Sequence, residues 1–157
     1  MQQPDAPLLP LSSICVDWTI NARAAMRREI TLEYAEALKM YRELAQTEPE
    51  TYLPHVAITL NNLGIFDEDL NQANEARKEY EEALKIYRGL AEKEPETYLP
   101  YVAATLNNLG ILDRAQNQPE EARKAFEEAL NIYKSLARQD PDQFSPLVER
   151  MKKLLKQ

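Results

Sequence analysis

Apolar residues return along this chain in steps of three and four, and they do so twice with nearly the same residues. From Tyr52 to Leu70, the apolar positions Val56, Leu60, Leu63 and Phe66 fall on one side of a 3.6-residue helical turn. From about Ala73 to Glu92, residues Ala76, Tyr80, Ala83, Leu84, Tyr87, Leu90 and Ala91 make a second stripe of the same period. The pattern predicts a helix, termed A, then a short turn, then a second helix, termed B. Thr51 and Thr97 stand as N-caps of A, with Pro54 and Pro100 in its first turn, where a missing N–H costs little. Asn71-Gln72 and Asn117-Gln118 separate A from B, and asparagine follows glycine in its aptitude for the left-handed conformation that ends a helix. Pro95 and Pro141 are expected to stop helix B and to begin the link to the next unit.

The stripes recur because the chain repeats itself. The string ETYLPHVAITLNNLG at residues 50–64 returns as ETYLPYVAATLNNLG at residues 96–110. The block Glu50 to Pro95 matches Glu96 to Pro141 at roughly 30 of 46 positions, a period of about 46 residues. A partial copy precedes them at Glu29 to Pro49. One antiparallel hairpin cannot bury such stripes alone, so the hairpins must stack, and the fold class is all-α. Gly64, Ala76 and Ala83, with their copies Gly110, Ala122 and Ala129, are small enough for close helix contact.

This organisation reads as a single domain over 1–157. It has an irregular capping segment at 1–21, an incomplete first repeat at 22–49, repeats at 50–95 and 96–141, and a capping helix at 142–157. Neither glycine, proline nor asparagine interrupts Ala22 to Gln46, so the first B helix is expected to begin early and run long. The apolar residues Leu8, Leu9, Leu11, Ile14, Val16 and Trp18 are expected to cover the open end of the stack, or to form a seam with a second copy. The period also places Trp18 in the slot of Gly64 and Gly110. At the other end, Pro146 and Val148 keep register with Pro54 and Val56, and Glu149, Arg150, Lys152, Lys153 and Lys156 supply a polar outer face.

Charge and composition narrow the function. A net charge of −7 without a basic run argues against nucleic acid, whose phosphates need clustered cations. The first residues lack a basic start and a long apolar run, and no stretch is apolar enough for a bilayer. Cys15 is the only cysteine, which excludes an internal disulfide. A cytoplasmic protein is the expectation, though the chain can equally be part of a longer one. Cys15 and His55 lack any nucleophile signature. The run Asp67-Glu68-Asp69 becomes Asp113-Arg114-Ala115 in the copy and lacks the spacing of a calcium loop. With three glycines and one histidine, neither a phosphate loop nor most active-site templates can be assembled. The expectation is a protein that is not an enzyme and needs no metal or cofactor.

Leu60, Leu63-Gly64, Ala76, Tyr80 and Ala83, and again Leu106, Leu109-Gly110, Ala122, Phe126 and Ala129, resemble the tetratricopeptide repeat pattern of small and large residues. The TLNNLG string and the extended helices resemble in particular the long-repeat branch of kinesin light chains and bacterial scaffold proteins. The resemblance implies a right-handed alpha-alpha superhelix whose A helices line a concave groove. Residues one period apart then form rows across it: Asn61, Asn107 and Lys153; Asn62 and Asn108; Ile58, Ala104 and Arg150; Ile65 and Ile111. Asparagine both donates and accepts, which suits a clamp on an extended peptide; equally, Asn62 and Asn108 can bond to neighbouring helix backbone. His55 and Tyr101 fall at the groove rim, while Tyr34, Tyr80, Phe126 and Tyr41, Tyr87, Tyr133 recur on helix B as packing residues. Glu68 and Asp69 favour basic ligands.

The resemblance thus implies a protein-interaction module for a peptide or helical segment, with a protein or peptide as partner. The alternatives are a self-associating scaffold that dimerises through the N-terminal segment, and a regulatory domain of a larger assembly. One departure from the family pattern bears on stability. Asp67 and Asp113 replace a large apolar residue, and with Arg77 and Arg123 at a fixed offset an Asp67/Arg77-type contact within or between repeats is expected.

Overall fold

The computed structural model describes residues 11–156 and, from residue 24 on, their side chains. All described elements are helices: α1 (Leu11–Thr47), α2 (Pro49–Asp69), α3 (Ala73–Ala91), α4 (Pro95–Ala115), α5 (Pro119–Leu136) and α6 (Pro141–Leu154). Two compact units divide at Glu36 and Ala37, where the sequence reading has one domain. Up to Glu36 the described chain is the first part of α1, and the stretch 11–21, expected to be irregular, is helical from Leu11. The helix starts directly after Pro10, because no proline or glycine follows to interrupt it. The segment before Leu11, with Leu8 and Leu9, and the side chains of Leu11, Ile14, Val16 and Trp18 lie outside the described residues.

The second unit is an all-α helical repeat solenoid. Within it α2 packs on α3, α3 on α4, α4 on α5 and α5 on α6, so each helix is held by its neighbours in sequence. Ala57, Ala76, Tyr80, Ala83, Ala103 and Ala129 are completely buried, and Val56, Leu60, Val102, Leu112, Phe126 and Met151 nearly so. The stripes read from the sequence therefore make one core. Gly64 is part of it: a Cβ built there would stand 2.7 Å from the Tyr80 ring. Helix α2 can approach α3 this closely only without a side chain at that point.

Both A-to-B turns close as expected. Asn71 (φ 59°) and Asn117 (φ 58°) are left-handed. The amide of Gln72 donates to the Asp67 carbonyl (2.8 Å) and that of Asn71 to Glu68 (2.9 Å); Gln118 and Asn117 repeat this with Asp113 and Arg114. This is the Schellman arrangement, which satisfies carbonyls that the helix end would leave bare.

The helix starts differ from the sequence reading. Pro49, Pro95 and Pro141 do not stop helices but open them, each within the first two positions. A proline at a helix start gives up an N–H that has no partner there anyway. The A helices thus begin three residues before Tyr52 and Tyr98, with Glu48 and Glu94 as N-caps instead of Thr51 and Thr97. Pro54 and Pro100 consequently sit inside α2 and α4. Each forfeits only the bond to the residue four before it, Glu50 or Glu96, which is exposed to water. In α6 a side chain does cap: Asp140 accepts from the Gln143 amide at 3.0 Å, the arrangement favoured at a helix N-terminus.

Candidate functional site

Helices α2, α4 and α6 are the A helices, and their outward residues were the candidates. On α2, Ile58 and Ile65 are exposed (41% and 42%), and on α4 Tyr101 is exposed (44%). Large apolar side chains left open on the same helix type mark a surface that another molecule can cover. Ile111 is half-buried and packs on the core, Ala104 is exposed, and Asn62 is exposed. The Asn62 side chain makes no hydrogen bond among the described residues, so its carboxamide is available.

The other asparagines are occupied by each other. The Asn61 Oδ1 accepts from the Thr105 hydroxyl (3.2 Å) and from the Asn108 amide (3.3 Å). Asn107, only 8% exposed, donates to the Asn108 Oδ1 at 3.4 Å, and its own Oδ1 is buried without a partner. Asn61, Asn107 and Asn108, drawn from two of the expected rows, thus make a polar seam between α2 and α4, in which Thr105 is a fourth member that the sequence reading did not single out. Its signal was in the repeat, since Thr105 opens the second TLNNLG string.

Rings at the A-helix starts also belong to the junctions. Tyr41 lies 5.1 Å from His55 and Tyr87 lies 5.2 Å from Tyr101, the second pair stacked at 17°. Tyr98 and Tyr52 flank Tyr101 and His55 at 6.4 and 6.1 Å. Tyr41 and Tyr87 therefore each pack against the A helix that follows. Tyr101 still shows much of its ring, so one face packs and the remainder is open.

On α6, the last A helix, Lys153 is exposed. Together with Pro146, Glu149, Arg150, Lys152 and Lys156 it lines a cavity of about 540 Å³. Lys152 is held by Glu149 at 2.6 Å. This end is cationic, whereas α2 ends on Glu68 and Asp69; of these Glu68 accepts from the Tyr80 hydroxyl at 3.0 Å and Asp69 is exposed. Charge on the A helices thus changes sign from α2, which carries Glu50, Asp67, Glu68 and Asp69, to α6, which carries Arg150, Lys152 and Lys153. Among the described residues no group of three metal-ligating side chains exists, and no helix is long and apolar enough to cross a membrane.

The two buried aspartates have different partners. Asp113 is ion-paired to Arg77 of the preceding repeat, whose guanidinium also reaches the Gln118 Oε1 at 2.8 Å. The contact expected from the sequence thus runs between repeats. One period before Arg77 the sequence has Thr31, so that arginine has no counterpart for Asp67. Asp67, 5% exposed, faces the Glu79 carboxyl, whose Oε2 is buried without a hydrogen-bond partner among the described residues. Burial first, then the Asp67 charge, pushes the Glu79 pKa up to about 8, with Glu75 and Glu82 adding to it; burial raises Asp67 as well. Two carboxyls in one partly buried site share a proton.

The consequence is a pH dependence with a definite sign. The raised folded-state pKa of Glu79 gives stability that is complete below its unfolded value of 4.5 and lost as pH rises through about 8. Allowing for the water that reaches the group, the loss between pH 5 and 8.5 is about 2 kcal/mol. Glu79→Gln, which donates to Asp67 at every pH, should flatten this slope and raise the melting temperature at pH 8 by about 4 °C. Thermal melts of both chains across that range test it; a parent chain whose stability stays level from pH 5 to 8.5 contradicts a shared proton.

A family model described as tetratricopeptide repeat matches residues 56–135. No curated protein matches the chain.

Proposed function

Because the chain belongs to the tetratricopeptide repeat family, whose repeats generally mediate protein–protein interaction and are generally not enzymes, we propose that the A helices hold a peptide or helical segment of a partner protein. The observation that carries the reading is the open apolar set Ile58, Ile65 and Tyr101 on α2 and α4, with the free carboxamide of Asn62 beside it. Apolar anchors supply burial and the carboxamide supplies a backbone bond, the combination that recognises an extended or amphipathic segment. Lys153 and Arg150 add a place for an acidic group of that ligand. Asn61, Asn107 and Asn108 support the surface by fixing α2 against α4, and Ile111 by packing beneath it. The helices of 21 residues in α2 and α4 favour the long-repeat variety, and a cytoplasmic setting fits the single cysteine.

Retention of partner proteins on the immobilised chain, compared with an Ile58→Asp/Ile65→Asp variant, tests this. Both positions are exposed, so the variant should keep its helical circular dichroism and lose the retained proteins. Unchanged retention would refute the groove.

A second reading, self-association, is favoured by the exposed Met26 and Leu32 in the first unit and Met40 and Leu44 in the second. A monomer mass in light scattering removes it.

A further inference from the structure

We propose that the cleft between the C-terminal end of α1, the start of α2 and α3 binds a single-chain amphiphile with an anionic head, such as a medium-chain carboxylate. The cleft lies wholly in the second unit and encloses about 670 Å³, within the range of small-molecule sites. Leu53, Val56, Ile86 and Leu90 form an apolar floor. Two ion pairs frame the opening: Arg42 of α1 holds Glu82 of α3 at 2.6 Å, and Lys93 holds Glu50 of α2 at 2.7 Å. Both carboxylates of the rim are thereby neutralised. Lys85 is exposed at the same rim and carries no hydrogen bond or ion pair among the described residues. An anionic head next to Lys85 gains a charge-assisted contact, and a cationic one meets repulsion.

The repeat provides an internal comparison. One period on, the floor is unchanged, with Leu99, Val102, Ile132 and Leu136. The residues that differ are those that open and charge the cleft. Gly89 becomes Ser135, Lys85 becomes Asn131, Lys93 becomes Gln139 and Gln46 becomes Glu92. The cleft thus has three cations (Arg42, Lys85, Lys93) against two carboxylates, whereas the copy has one cation against three. A Cβ at Gly89 would meet nothing within 4 Å, so this glycine is not needed for helix packing. It costs helix stability, and what it leaves is room over an apolar floor.

Isothermal titration with decanoate and with decyltrimethylammonium, both below their micellar range, tests the proposal on the full chain. Decanoate should bind saturably at one site per chain and the cationic amphiphile at least tenfold more weakly. Gly89→Leu, placed in open space and so compatible with folding, should fill the cleft and weaken decanoate at least tenfold. Lys85→Glu should weaken decanoate to a similar extent and favour the cation. Ile58→Asp/Ile65→Asp should leave decanoate binding unchanged, which separates this site from the protein-binding face. Absence of one-site binding, or decanoate affinity unaltered by Gly89→Leu, overturns the cleft; affinity unaltered by Lys85→Glu, or equal affinity for the two amphiphiles, overturns the anionic head.

Discussion

Arg77→Ala is expected to lower the unfolding free energy by about 3 kcal/mol, the largest effect of any exchange considered. The loss does not come from the bond itself. Asp113 is almost fully buried, and removing the guanidinium that pairs with it leaves a charge with neither water nor a counter-ion. Asp113→Asn in the Arg77→Ala background should therefore recover part of the loss, because the carboxylate is then gone. The copy supplies a control. Among the described residues Arg123 pairs only with the exposed Glu127 on its own helix, at 2.9 Å, and Arg123→Ala should change stability by less than about 0.5 kcal/mol. Urea unfolding of the four chains measures these values through the midpoint, with the slope unchanged. An Arg77→Ala chain as stable as the parent would show that Asp113 does not depend on the preceding repeat.

Gly110→Ala is the second large effect, about 2 kcal/mol of destabilisation, or a melting temperature lower by about 6 °C. Two effects oppose each other at this position. Alanine favours a helix over glycine by about 1 kcal/mol. Its Cβ, however, would stand 2.5 Å and 2.7 Å from Cε1 and Cδ1 of Phe126. That ring is 2% exposed, with the Arg114 guanidinium 5.5 Å from its centroid, so it has little room to retreat. Overpacking of a filled core costs more than the propensity returns. Phe126→Leu in the Gly110→Ala background should restore part of the stability, which thermal melts of the single and double variants would show. A Gly110→Ala chain that melts above its parent would mean that the ring moves freely and that close approach of α4 and α5 is not enforced there.

Much of the repeat was legible because the residues that build it act locally or recur at the period. Asn71 and Asn117 announce left-handed turns by their own chemistry, and the stripes on α3 and α5 name the core without knowledge of the neighbours. Proline misleads for a physical reason. Its ring is equally compatible with a chain just past one helix and with the first position of the next, and only the length of the intervening link separates the two. With links as short as Glu92 to Glu94, Pro95 belongs to the helix that follows.

Polar partners were less legible, since they depend on which repeat lies beside which. Asp67 and Asp113 are the same residue in sequence, yet one meets Arg77 and the other Glu79. Asn61 and Asn107 are likewise equivalent by period, but Asn61 accepts from α4 while the Asn107 Oδ1 has no partner. The cleft at Gly89 gives no signal in the hydrophobic pattern, because it arises from a missing side chain on an exposed position. Only the difference between Gly89 and Ser135, read together with Lys85 and Asn131, points to it.

The central claim, that the A helices hold a partner segment, is tested most directly by the dissociation constant of a partner retained by the parent chain. It should be measured side by side for the parent, for Ile58→Asp/Ile65→Asp, and for Asn131→Asp/Ser135→Asp, which places the same charges at exposed positions of α5. The expected result is a weakening of at least about tenfold for the α2 pair alone. Equal affinity of the α2 variant and the parent, or a loss seen only with the α5 pair, would contradict it.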